Sequence, residues 1–347
     1  MCLKTRGWGL SRRLSVVALA SLLAAGCSDA GRSNALLVDY QRELASRLGV
    51  EAPEPQPPNN IGAFPERRER LLEIPETREG MLNVYALREC HITTLVAERN
   101  STLGRVAPAS QRWRYELELW RRLDTCLAGD IPERLAEADL ERLERLAEIK
   151  TDQLPAASWN ALFDSDEWTK SFSRVSSTLP PDEVPPPSAQ REALAFLHDL
   201  VLHLFKPEQQ PDIEALESHL QALRSRPYTA ELLRTLLLAE QRLDEASALL
   251  KPALTRHDGC TGQAAGLNEA KSTVKLDAWL SSLEQAAQDW LGDLERLLEG
   301  LPPGTESVRD YRRNWLSLDA PGAPLPAFLE ARERHENLRE RLFERCR

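Results

Sequence analysis

The residues best suited to chemistry lie in one segment of the sequence, residues 88–126. An apolar stripe at helical spacing runs through residues 81–103, and Arg99 falls in its middle, where a leucine would normally pack. In the next predicted helix, Glu116 lies at the edge of a similar stripe. Guanidinium groups bind carboxylates and phosphates, and a nearby glutamate can donate or accept a proton. The segment therefore has the residues for an anion site or for acid–base chemistry.

The candidate cluster consists of Glu98, Arg99, Asn100, Gln111, Arg112, Tyr115 and Glu116. A helical hairpin about Gly104 would bring its two halves together, and two interpretations are open. In the first, arginines and glutamates of the cluster form a buried structural ion pair, which the sequence favours because buried charges normally persist only when paired. In the second, Arg99 and Arg112 hold an anionic group, which Gln111 and Tyr115 orient. Glu98 or Glu116 is then the acid or base.

The elements that must position this cluster are predicted to be helices. Alternating strand patterns are absent, and Leu, Ala, Glu and Arg, which favour helices, outnumber the β-branched residues. We expect an all-α fold, either a multi-helix bundle or stacked helical hairpins. Helices are predicted at these places: from near 34, 77–103, 108–127, 132–150, in pieces near Trp159 and Trp168, through the stripes 194–204, 213–223, 232–250 and 276–297, and through 328–346.

Two proline clusters divide the chain. The run at 53–58 and the run at 179–187 cannot be helix or central strand, so each is predicted to be an extended connector. The predicted organisation is a signal peptide (1–26), a lipidated tether with the first helix and connector (27–60), an N-terminal helical part with the polar cluster (61–178), a connector (179–187) and a C-terminal helical part (188–347).

The amino terminus has the pattern of an export signal. A basic stretch ends at Arg13, and ten apolar or small residues follow, about half the length that a membrane-spanning helix needs. The run leads into LAAGC at residues 23–27, which resembles the lipobox of bacterial lipoproteins, in which the cysteine, here Cys27, is acylated and becomes the new amino terminus. Ser28 then implies transfer to the outer membrane, facing the periplasm. The alternative is an ordinary secretory signal that leaves Cys27 free.

Export to an oxidising compartment favours disulfides for the remaining cysteines, which are Cys90, Cys126, Cys260 and Cys346. Four cysteines allow three pairings, and the simplest joins neighbours in sequence, Cys90 to Cys126 and Cys260 to Cys346. Their spacing matches no common zinc motif, and no metal site is predicted. His198 and His203 point apart on one predicted helix, so they are poor co-ligands for a metal. The sequence around His335 lacks the second histidine of a zincin metalloprotease. His257 lies near Cys260 and could form a Cys/His pair with it, but a disulfide between Cys260 and Cys346 is favoured.

Charge narrows the function classes. Removing the first 26 residues, with Lys4, Arg6, Arg12, Arg13 and no acid, changes the formal net charge from −10 to −14. An anionic protein without a basic stripe is not expected to bind nucleic acid. The nucleophile elbow, metalloprotease and nucleotide-loop motifs are also absent from the sequence, and we predict no cofactor.

One stretch also carries a family resemblance. ERNSTLG, PASQRWRYE, the flanking Cys90 and Cys126, and the first helix with Tyr40 resemble an uncharacterised lipoprotein family of Gram-negative bacteria, the domain of unknown function 3080. The resemblance implies a helical envelope lipoprotein and supplies no activity or substrate. The sequence thus leaves two classes of function: a binding or scaffolding protein that engages an envelope partner, or an envelope hydrolase or transferase that uses Glu98, Arg99, Arg112 and Glu116.

Overall fold

The computed structural model describes residues 31–206, 212–255 and 266–346, and within these ranges the regular structure is entirely helical. The all-α prediction is therefore confirmed. The α-helices are α1 (Arg32–Leu48), α2 (Arg67–Arg70), α3 (Met81–Ala86), α4 (Thr93–Asn100), α5 (Thr102–Arg105), α6 (Ala109–Ala128), α7 (Glu137–Phe163), α8 (Asp166–Ser171), α9 (Ser188–Leu202), α10 (Ile213–Ser225), α11 (Tyr228–Thr255), α12 (Lys271–Glu299), α13 (Glu306–Tyr311) and α14 (Pro324–Arg345).

The main core is built around the long helix α11. It packs along α14 and α1, and α12 packs on α1, α9 and α14. The stripes predicted from leucine spacing supply the contacts, since Leu236, Leu243 and Trp290 are at most 1% exposed. Residues from both sides of the 179–187 connector belong to this core, and Leu179 and Val184 of the connector itself are fully buried in it.

The first proline-rich run, residues 53–58, is extended and bonded to the bundle. The guanidinium of Arg242, only 2% exposed, donates to the carbonyl of Gln56 at 2.8 Å and to Asn34 Oδ1 at 3.0 Å. Glu245 neutralises Arg242 at 2.7 Å. A buried arginine is stable only with such partners, so this ion pair ties α1 and the connector to α11.

A second, smaller core lies apart from the main one. It joins the antiparallel α6–α7 hairpin to residues 81–106, which we call the cap segment. Its buried members are Val84, Leu87, Cys90, Ile92, Leu119, Leu123, Cys126, Leu143, Leu146 and Ala147. The predicted disulfide is present, with the Cα atoms of Cys90 and Cys126 5.2 Å apart.

The prediction of one continuous helix over 77–103 is wrong. The chain forms α3, a single 3-10 turn at Arg88–Cys90, then α4 and α5. His91 breaks the path with a left-handed backbone conformation, φ +55°. A continuous helix would place Cys90 on the face opposite the apolar stripe, whereas the break turns it into the small core. Met81, Tyr85 and Leu103, predicted to be buried, are exposed for the same reason.

The helix predicted at 132–150 is also wrong in its bounds, because α7 runs from Glu137 to Phe163 and continues through Pro155. Ser158, Trp159 and Leu162, beyond the proline, are buried in the fold, and this packing offsets the lost backbone hydrogen bond. Trp159 therefore belongs to α7, whose last turns lie next to the polar cluster.

Several predictions concern residues outside the described ranges. The signal peptide at 1–26, Cys27, His257 and Cys260 all lie there. Lipidation and the Cys260–Cys346 pairing therefore stay predictions. None of the helices in the described ranges combines the length and apolar character that crossing a membrane requires.

Candidate functional site

A cleft of about 930 Å³ lies between the α6–α7 hairpin, the cap segment and the extended residues 71–79. This volume falls in the upper part of the range typical of small-molecule sites. Arg99, Asn100, Arg112, Tyr115 and Glu116 of the predicted cluster line it. Glu98 and Gln111 are exposed and do not line it, so the structure brings five of the seven candidates together.

Arg99 is positioned by a close turn at the end of α4. Its Nη1 donates to the carbonyl of Gly104 at 2.8 Å, and its guanidinium lies 5.9 Å from the centre of the Tyr115 ring. Gly104 allows this turn, because a Cβ there would lie 2.2 Å from the carbonyl oxygen of Glu98. Ser101 caps α5 by accepting a hydrogen bond from Gly104 N at 3.0 Å. The ERNSTLG sequence therefore encodes the turn that presents Arg99 to the cleft.

Tyr115 is half-buried on α6, and burial raises the pKa of its phenol above the ordinary value, with the charge of Glu116 acting in the same direction. The phenol therefore stays neutral at physiological pH. It is a hydrogen-bond donor that the described residues leave available to a ligand.

The ion pairs expected within the cluster are not formed. Arg112 instead donates to Asp164, which also accepts two hydrogen bonds from Arg67, at 2.5 and 2.8 Å. Burial of Asp164 opposes its ionisation, but the hydrogen bonds from the two arginines outweigh burial and lower its pKa. The expected pairing of Arg112 with a glutamate of the hairpin is wrong because α7 extends past its predicted end and places Asp164 beside α6.

Glu116 likewise pairs with α7 and not with the cap segment. Lys150 Nζ lies 3.0 Å from Glu116 Oε2 and 3.3 Å from Gln153 Oε1. Gln153 in turn donates to the carbonyl of Pro75 at 2.8 Å. This chain of contacts holds the Glu116 side chain against α7.

The 71–79 segment forms one wall of the cleft and is held by side chains of α7. Asn160 accepts from Leu72 N and donates to Leu72 O, both at 2.8 Å, which satisfies backbone groups that lack a strand partner. Farther along, Glu79 pairs with Arg145 at 2.6 Å. These contacts fix residues 71–79 along α7, with the two segments running in opposite directions.

Cations exceed acids in the cleft. The charged lining residues are Arg67, Arg78, Arg99, Arg105, Arg112 and Lys150 against Glu76, Glu79, Glu116 and Asp164. Each acid has a cationic partner within 3.0 Å. Within the described ranges, Arg99 and Arg105 have no carboxylate partner. The first turn of α6 at Ala109 also lines the cleft and has no side-chain cap, which adds the partial positive charge of a helix N-terminus.

Sequence reasoning missed the contributions of α7. Lys150, Gln153, Ala157, Asn160 and Asp164 all line the cleft and recur three or four positions apart. Residues at this spacing lie on one face of a helix, and four of the five are polar. This mostly polar stripe is visible in the sequence once α7 is continued through Pro155. The prediction ended the helix at the first member of the stripe.

Other candidates from the sequence lie away from the cleft. His335 is buried among Tyr40 and Ser247, and His203 pairs with Asp199 at 3.0 Å. No group of three metal-ligating side chains occurs in the ranges that the structure describes. Trp120, Trp279 and Trp290 are buried and do not line the cleft.

Comparison with known proteins places the chain in a family. A family model described as Protein of unknown function (DUF3080) matches residues 37–347. The chain belongs to this family. The match covers every residue that lines the cleft, so the cleft lies within the family domain. No curated protein and no solved structure matches the chain.

Proposed function

We propose that this protein is a lipid-anchored lipoprotein of the outer membrane, facing the periplasm, that binds an anionic ligand in the cleft. The observation that supports the binding role is the pair of cleft arginines, Arg99 and Arg105, without a carboxylate partner among the described residues. A guanidinium group forms strong bidentate hydrogen bonds to carboxylate or phosphate. An anion between these arginines would supply the counter-charge that the protein itself does not.

The overall charge strengthens this argument. The chain has a formal net charge of −10, so a cleft with an excess of cations opposes the field of the rest of the molecule. A cationic cleft attracts small anions, whereas the rest of an anionic protein surface repels them. Nucleic-acid binding needs an extended basic surface, so the confinement of the cations to a cleft favours a small anion over a nucleic acid.

The anchor is proposed on the sequence alone. A basic stretch, a short apolar run and a lipobox-like LAAGC precede Cys27, and diacylglycerol on that cysteine would hold the folded part at the membrane. A scaffolding role with an envelope protein as partner is compatible with the same anchor. No surface among the described residues identifies that partner, so it stays a prediction.

The hydrolase or transferase alternative has less support from the geometry. Glu98 is exposed outside the cleft, and Glu116 is held by Lys150 at 3.0 Å. Asp164 is held by two arginines, and its pKa is lowered. A general acid needs a carboxyl group that stays protonated near neutral pH, and an ion-paired carboxylate is stabilised in the opposite state. Binding is therefore the function that the cleft supports best.

Isothermal titration with a panel of anions tests the binding role. The panel is inorganic phosphate, acetate, hexanoate, octanoate and decanoate, at one ionic strength. We expect at least one member to bind with one-to-one stoichiometry, and the double variant Arg99→Gln/Arg105→Gln to bind it at least about tenfold more weakly, since a hydrogen bond to a charged group contributes roughly 1.5–3 kcal/mol.

Arg114→Gln is the matched control, because Arg114 lies on α6 next to the cluster, is exposed and does not line the cleft. It removes one positive charge outside the cleft, and we expect it to bind within about twofold of the wild type. If no member of the panel binds, or if the double variant binds as tightly as Arg114→Gln, the proposed function is wrong.

A further inference from the structure

The cleft extends along the hairpin. Its lining residues on α6 run from Ala109 to Leu123, and at 1.5 Å per residue this covers about 21 Å. Its lining residues on α7 run the opposite way, from Leu146 to Asp164. Pairs such as Trp113 with Ser158 and Trp120 with Thr151 fix the two helices antiparallel, so Ala109 and Asp164 lie at one end and Leu123 and Leu146 at the other.

The two ends differ in chemistry. Arg67, Arg112 and Asp164 lie at the end formed by the first turn of α6, and Arg105 enters from α5 just before it. Because two arginines share one carboxylate there, that end has a net positive charge even before Arg105 is considered. This is the end at which an anionic group is most stabilised.

The opposite end is apolar. Leu119, Leu123 and Leu146 of the hairpin and Val84 and Ile92 of the cap segment line it, and all five belong to the small core closed by the disulfide. Two neutralised ion pairs border it: Glu79 pairs with Arg145 at 2.6 Å, and Glu116 pairs with Lys150 at 3.0 Å, within one helical turn of Leu119 and Leu146. Methylene groups that occupy this end would leave water, which contributes about 0.8 kcal/mol for each CH₂.

Apolar side chains are also exposed on the cap segment, which forms one side of the cleft. The cap segment holds Met81, Leu82, Tyr85, Leu103 and Val106, each at least 51% exposed. These are five of the eight large hydrophobic side chains that are exposed in the described ranges. Soluble proteins seldom expose such a concentration unless something apolar passes over it or binds to it.

We infer that the ligand of this cleft is an anionic amphiphile with a single acyl chain, whose headgroup binds at the arginine end and whose chain lies along the hairpin toward the disulfide. This inference rests on the proposed function and adds the chemical class of the ligand. The separation of charge and apolar surface along about 21 Å matches a molecule with the same separation. A compact anion would occupy only the charged end and leave the apolar end of the cleft unfilled.

A chain-length series tests the inference. The protein is the full mature chain with Cys27→Ser, which leaves every described residue unchanged and requires no detergent. Titration calorimetry compares hexanoate, octanoate and decanoate as monomers. We expect the dissociation constant to fall by about 15-fold for every two carbons, as expected for complete burial of each added CH₂.

Headgroup controls accompany the series. Decyl phosphate is expected to bind like decanoate, whereas decyltrimethylammonium and decyl maltoside, with chains of the same length, are expected to bind at least tenfold more weakly. Arg99→Gln/Arg105→Gln should weaken decanoate by at least tenfold and leave the effect of each added carbon unchanged, whereas Arg114→Gln should change neither.

The outcomes separate the two proposals. If phosphate or acetate binds as tightly as decanoate, with the arginine dependence intact, the anion site stands and the amphiphile inference is overturned. If the cationic amphiphile binds as tightly as decanoate, the cleft selects only an apolar chain, and both proposals are overturned. The same follows if none of these compounds binds.

Discussion

His335 is buried where three helices meet, away from the cleft. Its Nε2 lies 2.6 Å from the hydroxyl of Tyr40 on α1, and its Nδ1 lies 3.1 Å from Ser247 Oγ on α11. The nearest charged groups are Arg339 on the same helix and Asp277 on α12, which pair with each other at 2.8 Å. Burial, with a smaller contribution from the charge of Arg339, lowers the pKa of His335 to about 3. The imidazole therefore acts as a neutral hydrogen-bonding group that joins the three helices.

This histidine predicts an acid-sensitive fold. Because the pKa is about 3 in the folded state and 6.5 in the unfolded chain, only the unfolded chain takes up the proton between these values. The stabilisation is complete above pH 6.5 and is lost as the pH falls toward 3, at about 1.4 kcal/mol per pH unit from this one group. Denaturant unfolding from pH 7 to pH 4 measures the slope.

His335→Gln, which removes the titrating group, should reduce that slope by about one proton. An unchanged slope in the His335 variant would show that other groups cause the acid sensitivity.

At the scale of elements, the cap segment is the part of the molecule that depends most on one covalent bond. Its three helices are short, Met81–Ala86, Thr93–Asn100 and Thr102–Arg105, and isolated helices of this length are not stable in water. It is held to the α6–α7 hairpin by the small core, by Arg122, which donates to the carbonyl of His91, and by the Cys90–Cys126 disulfide. The cap therefore opens more easily than the main core.

We expect the double variant Cys90→Ser/Cys126→Ser to loosen the cap before the rest of the fold. The bond closes a loop with a sequence separation of 36, for which the chain-entropy model gives about 4 kcal/mol. Hydrogen exchange should become faster in residues 81–106 and stay slow in α11 and α12, and ligand affinity should fall because the cap supplies Arg99 and Arg105. Equal protection of the cap in the variant and the wild type would show that its packing suffices without the bond.

At the scale of the whole molecule, the folded part begins very close to the proposed anchor. Only four residues lie between Cys27 and the start of α1 at Arg32, so the five Cα-to-Cα steps between them can span at most about 18 Å. Ser33, in the first turn of α1, is buried and bonded to the carbonyl of Leu179 in the main core. Lipid on Cys27 would therefore hold the whole domain against the membrane, within reach of the amphiphiles that the membrane contains.

The anchor itself is tested by Cys27→Ser. We expect the wild type to fractionate with the outer membrane and to carry a lipid mass on an amino-terminal cysteine, whereas the variant should be found without lipid in the soluble periplasmic fraction. A Cys126→Ser control separates loss of the anchor from a general effect of losing a cysteine. An unmodified Cys27 in soluble wild-type protein would overturn the proposed lipidation.

The sequence by itself determined the fold class, most helices and a minority of the residues that line the cleft. Leucine spacing predicted α6, α9, α11, α12 and α14, because each long helix must bury one stripe whatever its neighbours are. The misplaced charge of Arg99 and the polar positions of α6 likewise identified five residues of the cleft. These are local properties, set by residue type and periodicity.

The tertiary structure decided the rest. The predicted 77–103 helix is interrupted near His91, and α7 continues through Pro155. Arg112 pairs with Asp164, which is distant in sequence, and not with a nearby glutamate. Each of these outcomes depends on burial and on partners far away in the chain, whose free energies exceed the local helix preferences. The arginines left without acids, and so the proposed ligand, become apparent only after all those partners are assigned.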